Sequence, residues 1–131
     1  MATVPLLNDE EAGADALAVF DDIRAKRQTD HVNNFWRAIA HDPALLRATW
    51  ERAQAVMAPG TLDPLVKELI YIAVSAANGC DYCVHSHTAA ARAKGMAPVQ
   101  HGELLTVIAM AAQTNALATA LSVPVDDRFK A

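Results

Sequence analysis

The run LVKELIYIAVSAA, residues 65–77, is apolar almost all the way round a helix, and it is fenced on both sides. Asp63-Pro64 precedes it, pairing a good N-cap with the residue best suited to the first helical position. Asn78-Gly79 follows, a helix-ending junction. A helix with no polar side has to be covered all round, so it belongs in the middle of a bundle or at a subunit interface. Its two charges, Lys67 and Glu68, are therefore out of place unless something specific meets them.

The rest of the chain extends the helical pattern. Alanine fills 28 of 131 positions and aromatics only 7, which favours closely packed helices over a sheet. Asn8 with Glu11 forms a capping-box pattern ahead of Leu17, Phe20 and Ile23, predicting a helix over about 9–28. A short apolar segment, FWRAIA, precedes Asp42-Pro43, which starts a helix over about 43–57 carrying Leu46, Trp50 and Ala53 on one stripe. After the helix ending near Ala77, CDYCVHSHTAAARAK reads as another, stopped by Gly95. Pro98 and the polar QHGE then lead to a last helix at roughly 103–121, and SVPVDDRFKA reads as an extended arm. No segment reads as a strand. The expectation is one all-α domain over 1–131, a bundle of about six helices.

Composition narrows the function. Eleven basic against fifteen acidic residues give a formal charge of −4, with no basic patch, so nucleic acid is not expected as a partner. The start MATVPLLNDEE lacks the pattern of a secretory signal, and LLTVIAMAA at 104–112 is about half a membrane span. A cytoplasmic protein with no membrane contact is expected. The two cysteines, Cys80 and Cys83, are too few for a disulfide framework, and in a reducing compartment such a pair is redox-active or metal-binding.

At about 100° per residue, Cys80, Cys83 and His87 fall within an arc of roughly 60°. Neighbours at this spacing have Cβ atoms about 5–6 Å apart, so modest distortion at the helix start lets the two sulfurs close a reversible disulfide. The same spacing brings the His87 imidazole towards the Cys83 sulfur, where it can serve as a base. A tight turn at Asn78-Gly79 folds the preceding helix back, carrying Glu68 towards His87, and a carboxylate there fixes the ring's tautomer and raises its basicity. His85 and Tyr82 point elsewhere on the wheel.

Glu68, eleven intervening residues, Cys80, two residues, Cys83, three residues, His87 and then Gly95 together resemble the core motif of the alkyl hydroperoxidase D (AhpD) family, within the carboxymuconolactone decarboxylase superfamily. The motif region spans about 64–96, and FWRAIAHDPALLRATWERAQAVM is similar to the family's lead-in helices. The resemblance implies an all-helical fold assembled as a homotrimer or homohexamer and reduction of hydrogen peroxide or small alkyl hydroperoxides, with no cofactor. It also implies the roles: Cys83 attacks the peroxide, Cys80 resolves the sulfenic acid into a disulfide, and Glu68 and His87 relay protons. It further implies a dithiol reductant such as a dihydrolipoyl protein, with a peroxiredoxin as a further partner. Tyr82 departs from members with a histidine between the cysteines.

The physics agrees on the nucleophile. Bringing a thiol of pKa about 8.5 to half ionisation at pH 7 takes roughly 2 kcal/mol. A helix N-terminus supplies about 0.3–1 kcal/mol, which favours Cys80 but falls short, and Asp81 opposes it. A base is needed, and His87 is one turn from Cys83 and two from Cys80. Other readings of the same residues are a packed cysteine pair, a zinc site from Cys80, Cys83, His87 and Glu68, a dithiol redox adaptor or sensor, and a non-redox enzyme of the decarboxylase type. Members of the last kind typically lack the paired cysteines. His31, His41, His101, Trp36 and Trp50 carry no comparable signal.

Overall fold

Two Asp-Pro junctions start two of the helices. In a computed structural model, which describes residues 1–130, the Asp42 side chain accepts from Leu45 N at 3.0 Å and opens α3, and Asp63 accepts from Leu65 N at 2.8 Å and opens α4. Each cap is worth about 1 kcal/mol of helix stability. The described residues form six α-helices and no strand, matching the expected all-α class: α1 Ala14–Arg27, α2 Asn34–Ile39, α3 Pro43–Met57, α4 Pro64–Ala77, α5 Asp81–Ala93 and α6 Pro98–Ala120. The tail, expected to be an extended arm, contains a short 3-10 turn, Asp127–Phe129. The helices fall into two compact units, Met1–Ala58 and Pro59–Ala131.

In the first unit, α1–α3 enclose Ala16, Val19, Phe20, Ile23, Val32, Trp36, Ala40, Leu46 and Trp50. Trp36 and Trp50 meet edge to face at 5.4 Å, and the Trp50 indole N–H donates to Asp22 Oδ2 at 2.7 Å, so the ring is buried without stranding its polar edge. Asp9 accepts from both Arg24 and Arg37, tying the leading segment to α1 and α2. The Asn8–Glu11 bonds form as predicted, but they close an isolated turn. Gly13 then adopts an extended conformation, and α1 starts at Ala14 instead of near residue 9.

In the second unit, α4 packs along both α5 and α6, with Ile72, Ala91 and Met96 at the centre and Leu65, Leu69, Leu104 and Ile108 against them. Gly79, at φ +68°, makes the left-handed turn that folds α5 back along α4. Helix α6 begins at Pro98, about five residues before the predicted start. Pro98 occupies the first turn and the Ala97 N–H donates to Gln100 Oε1 at 2.8 Å, so the polar QHGE is helix, not loop. None of the residues of α6 is fully buried, and Leu105, Val107, Met110 and Leu117 are exposed.

Candidate active site

The site is assembled by α4, the Gly79 turn and α5. Cys80 stands just outside α5 as its N-cap, at φ −86° and ψ 88°, and its Sγ accepts from the Cys83 N–H at 3.3 Å. It is therefore not on the helical wheel proper, as the spacing had suggested. This departure brings the Cα atoms to 5.3 Å, within the span of a disulfide, and Cys80 and Cys83 are bonded to each other. A depression of about 230 Å³ lined by Ser75, Ala76, Gly79, Cys80, Asp81 and Val84 opens beside the first sulfur.

One turn beyond Cys83, His87 is held from two sides. Its Nδ1 lies 2.7 Å from Glu68 Oε2, and its ring stacks on that of Tyr71 at 3.5 Å between centroids and 18° between planes. Glu68 is only 3% exposed although it belongs to the most apolar helix. Burial pushes its carboxyl upward, but hydrogen bonds from His87 and Lys94, aided by their charges, outweigh that and hold it below the usual carboxylate value. An ionised carboxylate only accepts, so Nδ1 carries the proton in this contact and the lone pair of a neutral ring lies on Nε2.

The structure thus brings Glu68 and His87 together and joins Cys80 to Cys83, the four residues singled out in the sequence. It adds two others. Lys94 Nζ donates to Glu68 Oε1 at 2.8 Å, occupying the oxygen that His87 leaves. Tyr71, one turn after Glu68, packs on the imidazole face. Lys94 could have been found, since at about 100° per residue it falls within roughly 20° of both Cys83 and His87. Tyr71 had no such signal, being one of many large side chains on α4.

His85 and Tyr82 lie apart from this cluster. The His85 ring nitrogen Nδ1 sits 2.9 Å from the Asp81 carbonyl oxygen, and Tyr82 is exposed. Elsewhere, His41 Nε2 contacts the Pro5 carbonyl at 2.8 Å. Among the described residues no group of three or more His, Cys, Asp or Glu side chains is arranged to hold a metal ion, and no helix is long and apolar enough to cross a membrane.

An all-helical fold with a disulfide-forming pair at the head of one helix, and an imidazole on that helix met by a buried carboxylate from its neighbour, defines a class of dithiol proteins. The carboxymuconolactone decarboxylase family model matches residues 43–126, and the chain belongs to that family. Within it the chain is AhpD-like. It is 60% identical to the alkylhydroperoxidase AhpD core from Rhodospirillum rubrum ATCC 11170, whose crystal structure superposes with a TM-score of 0.96 over 100% of this chain and 98% of that one. No curated protein matches the chain.

Proposed function

We propose that the chain is a thiol-dependent peroxidase acting on hydrogen peroxide or small alkyl hydroperoxides through a Cys80/Cys83 dithiol–disulfide cycle. One observation carries this reading: the bonded cysteine pair heads the same helix that presents His87, backed by the buried Glu68 carboxylate. The similarity to a protein described as an alkylhydroperoxidase supports it.

In the cycle, His87 Nε2 takes the Cys83 thiol proton while Glu68 holds Nδ1–H. The thiolate attacks the outer peroxide oxygen, the O–O bond breaks, and the departing alkoxide receives the proton to leave as alcohol or water. Cys83 is now a sulfenic acid. The Cys80 thiol displaces its hydroxyl as water, giving the disulfide before further oxidation can occur. Two electrons and two protons from a dithiol, such as a dihydrolipoyl protein, restore the reduced pair, and a peroxiredoxin is a candidate onward acceptor. The exposed apolar side chains of α6 fit assembly into a homotrimer or homohexamer, and a cytoplasmic setting fits a cycle that needs continual reduction.

The test is steady-state peroxide consumption with a dihydrolipoyl donor. Turnover that disappears in Cys83→Ser is expected. Disulfide exchange without peroxide turnover in the wild type would replace the peroxidase by a dithiol adaptor, and a wild type that shows neither activity would point to non-redox chemistry.

A further inference from the structure

We propose that Lys94 is a positioning residue for the His87 base: by clamping the far oxygen of Glu68, it commits the near oxygen to His87 and balances the carboxylate's charge before the imidazole receives a proton. This rests on the reading of His87 as the base for Cys83.

The geometry is a three-member chain. Lys94 Nζ donates to Oε1 of Glu68 at 2.8 Å and His87 Nδ1 meets Oε2 at 2.7 Å. Both carboxylate oxygens are taken, so the group cannot pivot away from the ring. Lys94 itself is fixed at its backbone: its N–H reaches Ala90 and Ala91 carbonyls at 3.1 Å as α5 ends, and Gly95, at φ +95°, turns the chain immediately afterwards. The side chain reaches from the end of α5 to the α4 carboxylate that also holds His87. At 38% exposure it is not there to fill a core.

The charge arithmetic gives Lys94 a function. With a neutral imidazole, Glu68 and Lys94 sum to zero. Without Lys94, the buried carboxylate would be left with the imidazole as its principal counter-charge, and the ring would hold a solvent proton more firmly, leaving less of it free to accept one from the thiol. Removing a cation makes every nearby proton harder to lose, so the dyad of Cys83 and His87 gives up its first proton at higher pH. The other titratable and charged groups on the packed elements are Lys67, Glu68 and Tyr71 of α4, Asp81, Tyr82, Cys83, His85 and Arg92 of α5, and His101 and Glu103 of α6. Of these, the described contacts place Glu68 and Tyr71 against His87, while His85 lies against Asp81.

The experiment uses the full chain in a Cys80→Ser background, where Cys83 is the sole thiol. The rate of Cys83 alkylation by iodoacetamide is followed against pH, which reads deprotonation without any peroxide. Lys94→Met is expected to move the acidic limb upward by about one pH unit. Lys94→Gln, which keeps a donor without the charge and guards against a folding failure, should move it in the same direction, and Lys94→Arg should restore the wild-type position. Limbs that coincide in wild type, Met and Gln variants would overturn the proposal and leave Lys94 as a helix-end cation. A shifted limb in a protein that does not consume peroxide would uphold it while the peroxidase reading fails.

Discussion

Glu68 and His87 lie nineteen residues apart in sequence, on different helices, yet their side chains meet at 2.7 Å with the carboxylate almost wholly removed from water. The contact exists because the left-handed Gly79 turn reverses the chain, and it makes an apolar helix carry a charge it could not otherwise bury. Replacing Glu68 by Gln keeps the volume but removes the obligate acceptor, so the imidazole tautomer is no longer fixed. We expect kcat/KM for peroxide to fall about 10²-fold at pH 7, within the range for a misdirected general base. Peroxide kinetics alongside circular dichroism check this, the latter reporting that the helices persist.

The two cysteines should respond differently to substitution. Cys83→Ser should abolish peroxide consumption. Cys80→Ser should instead permit one oxidation and then stall, with Cys83 passing from sulfenic to sulfinic acid because no partner thiol intercepts it. Mass spectrometry after one equivalent and after excess peroxide distinguishes the two outcomes.

The depressed Glu68 carboxyl links stability to pH. Its folded value lies below its unfolded one, so its contribution is fully present above the unfolded carboxyl range, about pH 4.3, and is lost as pH falls through the folded value. Thermal unfolding of the wild type should therefore drop on acidification below about pH 4.3, and Glu68→Gln should show a shallower drop over the same window. Parallel curves for the two proteins would contradict the assignment.

Tyr71 restrains the imidazole from its face. Tyr71→Ala removes a stacking contact of the kind worth about 0.5–1.5 kcal/mol, so a loss of roughly 2–10-fold in kcat/KM is expected, and Tyr71→Phe should retain wild-type activity. An equal loss in Phe and Ala variants would shift the role to the hydroxyl.

The exposed side chains of α6 make the assembly testable. Leu105→Glu combined with Val107→Glu places charges on a helix with no fully buried residue, so these changes leave the core of the unit in place. Sedimentation velocity should show an oligomer for the wild type and a smaller species for the double variant.

Local signals with a steric or hydrogen-bonding mechanism carried most of the architecture. Asp42-Pro43 and Asp63-Pro64 located α3 and α4 to the residue, and Gly95 located the end of α5. The misplaced boundaries have equally local reasons. The Asn8 box predicts the start of α1, but Gly13 lets the chain extend before the helix can propagate. QHGE looked like a loop because its side chains are polar, yet Pro98 ahead of it already sets a helical first turn. In the site, Glu68, Cys80, Cys83 and His87 were legible from spacing because each is a chemically distinctive residue. Lys94 gives no such signal because a lysine near a helix end is ordinarily a solvated charge, nor does Tyr71, because periodicity cannot say which aromatic faces an imidazole.

Cys80 precedes the helix whereas Cys83 is inside it, and this division assigns motion unequally. In the proposed cycle the resolving sulfur hangs from the turn ahead of the helix, where its opening would disturb one cap and no interior helical hydrogen bond. The other is carried on the helix itself, one turn before His87, so in the proposed cycle the attacking sulfur would keep its register with the imidazole from one round to the next.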